Sequence, residues 1–147
     1  MRQNRFEDAI LDYSKALQFS PRDVHCYIKR AYCYSELNQF QTALNDYNKA
    51  IEIEPDNEMT FYDRGMIYYN ISEMRLATKD FNEAIKLGYD SSLVYVFRGY
   101  ASIKLKLYYE GIKDLEHAIT LDFDYEDELR PIIKDAKKIM NKSSFWF

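Results

Sequence analysis

Alanine recurs at Ala16, Ala50, Ala84 and Ala118, every 34 residues, and this period constrains the fold more than any other feature of the chain. Other columns keep the same beat: Leu17, Ile51, Ile85 and Ile119; Asp12, Asp46, Asp80 and Asp114; Tyr13, Tyr47, Phe81 and Leu115. Columns in register over four copies describe an array of one small unit. Such a unit cannot bury its own apolar face, so stacking has to supply a continuous core. Within a unit the apolar residues fall at helical intervals. Ala43, Tyr47, Ala50 and Ile51 share one face in the second half of a unit. Tyr27, Ala31 and Tyr34 do so in the first half, matched by Phe61, Gly65, Tyr68 and by Tyr95, Gly99, Ser102. Each unit is therefore expected to be a helical hairpin and the chain to be all-α. Pro21 and Pro55 break the helix between units, and Gly88 suits a C-terminal cap.

Small residues set the expected packing. Ala31, Gly65 and Gly99 on first helices should face Ala43, Ala77 and Gly111 on second helices, so that backbones approach where no side chain intervenes. With Gly88 at a helix end, no glycine remains for a phosphate-cradling loop.

These residues resemble the tetratricopeptide repeat family, whose pattern runs aromatic-x2-Leu-Gly-x2-Tyr, then Ala-x3-Phe, then Pro. Here Tyr27-x2-Arg30-Ala31-x2-Tyr34 leads to Ala43-x3-Tyr47 and Pro55. Phe61-x2-Arg64-Gly65-x2-Tyr68 leads to Ala77-x3-Phe81, and Tyr95-x2-Arg98-Gly99 leads to Gly111-x3-Leu115. Arginine stands for the pattern's leucine all three times. The resemblance covers residues 4 to about 125. It implies a right-handed α-α superhelix, a solenoid of helical hairpins that acts by binding proteins. Residues 1–142 are expected to form one such domain. It would hold a partial unit at about 4–23, units at 24–57, 58–91 and 92–125, a capping helix at 126–142, and then an aromatic tail at 143–147.

Composition agrees with this reading. The 147 residues are 47% hydrophobic with three prolines, enough for one continuous core without an internal linker. The net charge of −4 opposes a phosphate backbone, so nucleic acid is not an expected partner. No apolar run reaches membrane-span length, and Met1-Arg2-Gln3-Asn4 opens no signal peptide. An intracellular, cytoplasmic setting is expected. Cys26 and Cys33 lie about 10 Å apart along one helix, too far to bridge, and are expected as buried thiols. His25 and His117 complete no zinc spacing, so neither a metal nor another cofactor is expected.

Nothing in the pattern supports catalysis, because the acidic residues recur with the repeat. Arg30, Arg64 and Arg98 recur with the same period and are expected to pair with Asp12, Asp46, Asp80 and Asp114 in a structural ladder, in places bidentate. Pairing within a unit and pairing with the preceding unit both fit the spacing.

First helices carry a second apolar face. Ile28, Tyr62 and Val96 form one column, Tyr32, Met66 and Tyr100 a second, and Ser35, Tyr69 and Ile103 a third. In the resembled family first helices line the concave surface. These columns, flanked by His25, Met59, Leu93 and Phe97, would then pave a groove for a partner segment. The alternative is that they pack on neighbouring first helices. Asn45, Asn48, Lys79, Glu83, Lys113 and Glu116 suggest a solvated convex face. Co-chaperone members of the family clamp a chaperone's C-terminal carboxylate with lysine, asparagine and arginine. The matching positions here hold Ile28, Tyr32, Asp63, Leu93 and Phe97, with only Lys29 nearby, so no chaperone carboxylate clamp is expected.

The ends differ. The chain opens on a second-type helix whose Phe6, Ile10, Tyr13 and Leu17 should partly face an absent first helix, either because the chain is shortened there or because another chain donates a helix. Leu129, Ile132, Ile133, Ala136, Ile139 and Met140 form the stripe of the capping helix, in which Pro131 is tolerable if it lies in the first turn. Phe145, Trp146 and Phe147 would either fray or dock. The functional expectation is a non-catalytic scaffold or adaptor, a subunit of a larger assembly, whose groove takes an apolar helix or extended segment. An RNA-binding helical repeat and a regulatory fragment of a longer enzyme are the alternatives.

Overall fold

The computed structural model describes residues 2–143; the Phe145, Trp146 and Phe147 tail lies outside the described residues. Eight helices follow one another: α1 (Arg2–Phe19), α2 (Val24–Glu36), α3 (Phe40–Ile53), α4 (Glu58–Asn70), α5 (Met74–Lys86), α6 (Ser92–Lys104), α7 (Tyr108–Leu121) and α8 (Glu126–Ser143). One 3₁₀ turn, Phe123–Tyr125, leads into α8.

Two of the three first helices, α2 and α4, start on side-chain caps, whereas Ser91 at the start of α6 makes no side-chain cap bond. Asp23 accepts the Cys26 backbone N–H at 3.1 Å, and Asn57 accepts the Thr60 N–H at 3.0 Å. Each satisfies one orphan donor of the helix start. The ends of the first helices repeat. Asn38, Ser72 and Lys106 adopt φ of 57°, 65° and 64°. The residue after each closes a Schellman motif, as where the Gln39, Glu73 and Leu107 N–H groups donate to the carbonyls of Tyr34, Tyr68 and Ser102. A left-handed residue other than glycine costs about 1–2 kcal/mol. Replacing Lys106 by glycine is therefore expected to stabilise the protein by about 1 kcal/mol in urea unfolding, and a loss of stability would contradict the strain reading.

Packing joins consecutive units. Tyr47 of α3 is buried with Leu44, Ala43, Ala31 and Ile67 of α4. Phe81 of α5 is buried with Ala77 and Val94 of α6. Leu115 of α7 is buried with Ile112, Ala118 and Leu129, Ile133, Ala136 of α8. Each cluster thus draws in the next helix pair, which is how a stack of units too small to fold alone acquires one core. The first helices also touch each other, α2 with α4 and α4 with α6. The first helices thus form a continuous row along one side of the stack.

The glycines mark the closest approaches. A Cβ on Gly99 would lie 3.1 Å from the Gly111 carbonyl oxygen and 2.7 Å from Leu115. A Cβ on Gly111 would lie 2.9 Å from the Gly99 carbonyl oxygen. Gly65 is closest not to Ala77 but to the Phe81 ring, 2.8 Å from an added Cβ, because a ring replaces leucine at that level of the stack.

The two terminal helices differ. Pro131 is the sixth residue of α8, not part of its first turn, because the 3₁₀ turn starts the helix at Glu126. At the other end Leu17 is buried and Phe6, Ile10 and Tyr13 are half-buried, since α1 packs against α2.

Candidate interaction groove

Three arginines tie successive second helices together. Arg30 donates to Asp46 through Nε at 2.7 Å and Nη2 at 2.8 Å. Arg64 reaches Asp80 at 2.7 Å through both nitrogens, and Arg98 reaches Asp114 at 2.8 and 2.6 Å. The pairing is within a unit, the one-unit offset being taken by the remaining nitrogen. Nη1 of Arg30, Arg64 and Arg98 donates to Ser14, Asn48 and Asn82 on the preceding second helix, at 3.0, 2.7 and 2.7 Å. Each guanidinium also lies over a ring three residues earlier, 5.7 Å from Tyr27, 5.6 Å from Phe61 and 5.5 Å from Tyr95. One planar fork therefore fixes both the hairpin and its stacking on the previous hairpin.

Asp12 is a correction: it takes no part in the ladder, and its ion pair is with Lys15 at 3.9 Å. A ladder arginine sits sixteen residues before its aspartate, a position that falls outside the sequence for Asp12. Asn48, expected to be merely solvated, is an acceptor for Arg64. The column Ser14, Asn48, Asn82 keeps the 34-residue beat, and that was the signal by which the third partner could have been found. Glu116 extends the column and accepts from Lys137 of α8 at 2.6 Å.

Along the row of first helices, α2, α4 and α6 present Tyr32 (47% exposed), Met59 (54%) and Leu93 (38%). Ile28, Tyr62, Met66, Tyr69, Phe97 and Tyr100 are half-buried between them. Rings bridge neighbouring helices: Phe6 meets Tyr32 edge-on at 6.2 Å, and Tyr69 meets Phe97 edge-on at 5.3 Å. Tyr62 stacks on Tyr89 at 4.7 Å. Tyr100 donates its hydroxyl to Glu128 of α8 at 2.8 Å, which closes this end of the row. Val96 is a second correction: it is only 3% exposed and belongs to the core under α8, because the capping helix covers the last first helix where a further unit would otherwise stack. A hollow of about 530 Å³ opens at the α1 end, lined in part by Phe6, Tyr13, Lys29 and Tyr32. The outer side is less uniformly polar than expected, with Leu76 and Tyr109 exposed on α5 and α7.

Asp63 lies in this row, on α4. It is half-buried, and among the described residues it makes no hydrogen bond and no ion pair. Burial pushes its carboxyl up to about 6, and Lys29 opposes this only in part. Such a raised value makes the ionised form a burden on the fold above about pH 6, relieved as pH falls toward the ordinary carboxylate range. Tyr47, Tyr62 and Tyr89 all feel its charge, and burial is the main cause that pushes their hydroxyls up. No group of three or more potential metal ligands is found among the described residues, and no helix is long and apolar enough to cross a membrane.

Residues 25–57 and residues 93–125 each match a family model described as tetratricopeptide repeat. No curated protein matches the chain. Among solved structures, YrrB, described as a TPR protein with an unusual peptide-binding site, is similar at 24% identity and a TM-score of 0.71 over 75% of this chain; the chain spans 57% of that structure. MamA (residues 41 to end) from Desulfovibrio magneticus RS-1 is 17% identical with a TM-score of 0.80, covering 96% of this chain and 85% of its own. The first TPR of Spaghetti (RPAP3), bound to an HSP90 peptide, is 21% identical with a TM-score of 0.70, covering 80% of this chain and 93% of its own. At these identities the likenesses speak for the fold.

Proposed function

The chain is a tetratricopeptide repeat protein and a protein-interaction scaffold, and from that premise we propose that it holds a partner polypeptide segment against the inner faces of α2, α4 and α6. The observation that carries this reading is the exposure of Tyr32, Met59 and Leu93 along the row of first helices that touch one another. Aromatic and methionine side chains give large apolar contact and adapt to a partner's shape. A surface built on helices that are already packed together loses little freedom on binding. YrrB and the Spaghetti domain are described with bound or binding peptides, which supports a polypeptide occupant. Neither the stapled arginines nor the row of tyrosines is arranged for group transfer, so the scaffold is read as non-catalytic and as a subunit of a larger assembly.

Site-specific photo-crosslinking tests the reading. A photoreactive residue at position 59 is expected to capture a defined segment of a partner protein in cells, while one at Lys79 on the outer side of α5 is not. Replacing Met66 by lysine should abolish the capture at position 59; because Met66 packs beside the Ala77, Phe81 and Val94 cluster, thermal unfolding of the variant is measured alongside to exclude loss of the fold as the cause. Equal capture from positions 59 and 79, or capture unaffected by Met66→Lys, would remove the groove as the binding surface.

A further inference from the structure

Carboxylates elsewhere in this core are answered by a cation. Asp46, Asp80 and Asp114 are buried and each takes two hydrogen bonds from an arginine. Asp63 is the exception. It sits on α4 next to Arg64 in sequence, but Arg64 points away to Asp80 and Asn48. Lys29 of α2 acts on it electrostatically without coming within ion-pair distance. No buried side-chain oxygen or nitrogen among the described residues lacks a partner. An Asp63 without a partner therefore keeps its oxygens within reach of solvent, on the face of α4 that also carries Met59 and Met66.

An unanswered carboxylate in a partly dehydrated, aromatic-walled position is an arrangement that a fold built for stability alone would avoid. Part of its water has already been stripped away in the free protein, so a cation arriving there recovers charge-assisted hydrogen bonds with less further dehydration than an exposed carboxylate would need. The stacked Tyr62 and Tyr89 rings and the exposed Tyr32 ring offer faces to the stem of such a cation. The net charge of −4 attracts a positively charged segment from a distance.

We propose that Asp63 is the seat for a lysine or arginine side chain of the segment that occupies the groove, so that the partner presents a basic residue flanked by apolar ones. This rests on the groove reading above, and the experiment separates the two. A random peptide library displayed on phage is panned against the whole protein. Selected peptides are synthesised and their affinities measured for the parent, for Asp63→Asn and for Met66→Lys.

The expected result is a consensus with lysine or arginine at one fixed position. Replacing that residue by norleucine, or Asp63 by asparagine, should each weaken binding about tenfold, and the two changes together no more than either alone. Asp63→Asn should melt no lower than the parent at pH 7, which excludes unfolding as the cause. Peptides that lose affinity in Met66→Lys but carry no fixed cation, or that ignore Asp63→Asn, overturn the cation seat and leave the groove standing. Peptides indifferent to Met66→Lys, or no selected peptide at all, overturn the groove and the cation seat with it.

Discussion

Replacing Arg64 by leucine, the residue the family pattern carries there, is expected to destabilise the protein by about 3–5 kcal/mol, the loss typical of removing one partner from a buried ion pair. Leucine would restore apolar volume but leave Asp80, 2% exposed beside the Phe81 ring, with neither of its two arginine bonds. It would also cut the bond to Asn48, the contact through which the α4–α5 hairpin grips α3. In a stack whose units contact only their neighbours, that damage should stay local at first. Hydrogen exchange should accelerate in α3, α4 and α5 before α6 and α7. Adding Asp80→Asn should recover part of the loss, because an amide is less costly to bury without a cation than a carboxylate. A loss below about 1 kcal/mol in urea unfolding would show that the fork orients the helices without stabilising them.

Gly111→Ala should cost about 2–3 kcal/mol, near the upper end of what overpacking a core produces. The new methyl would meet the Gly99 carbonyl oxygen at 2.9 Å and the Ile103 backbone nitrogen at 3.2 Å. The Ile103 side chain, nearer still at 2.7 Å, can turn aside, but these two backbone atoms cannot, so α6 and α7 must move apart. That movement would spread to Leu115, which is fully buried in the last core cluster. Gly65→Ala is the useful contrast, because the methyl there meets chiefly the Phe81 ring and the Asp80 Cβ rather than a backbone atom. Thermal unfolding of the two variants should rank Gly111→Ala as the worse, and a reversed order would place the tightest contact of the stack elsewhere.

Much of the fold is legible from local pattern. The alanine column, the proline breaks and the alternating apolar faces mark where α2 to α7 lie, because helix periodicity and helix breaking act within a few residues. Part of the candidate groove is legible in the same way, since Tyr32, Met59 and Leu93 lie on faces that the hairpin core does not need. Val96 shows where this reasoning fails. It occupies the same column as Ile28 and Tyr62, yet α8 covers it, and nothing within α6 announces that a capping helix follows.

The sequence by itself determined the repeating unit, its two helices, the small residues between them and the recurrence of arginine and aspartate. These follow from torsional preference and side-chain size along a short stretch of chain. Tertiary structure alone decided that each arginine joins two second helices at once, that Asp12 and Val96 leave their columns' roles, and that Asp63 is half-buried without an ion-pair partner among the described residues. The reason is that a side chain's partners depend on how one helix crosses the next. That crossing is settled by packing among residues sixteen to twenty-eight positions apart, as in the Arg64–Asp80 and Tyr100–Glu128 pairs, not by any window in which a periodicity can be read.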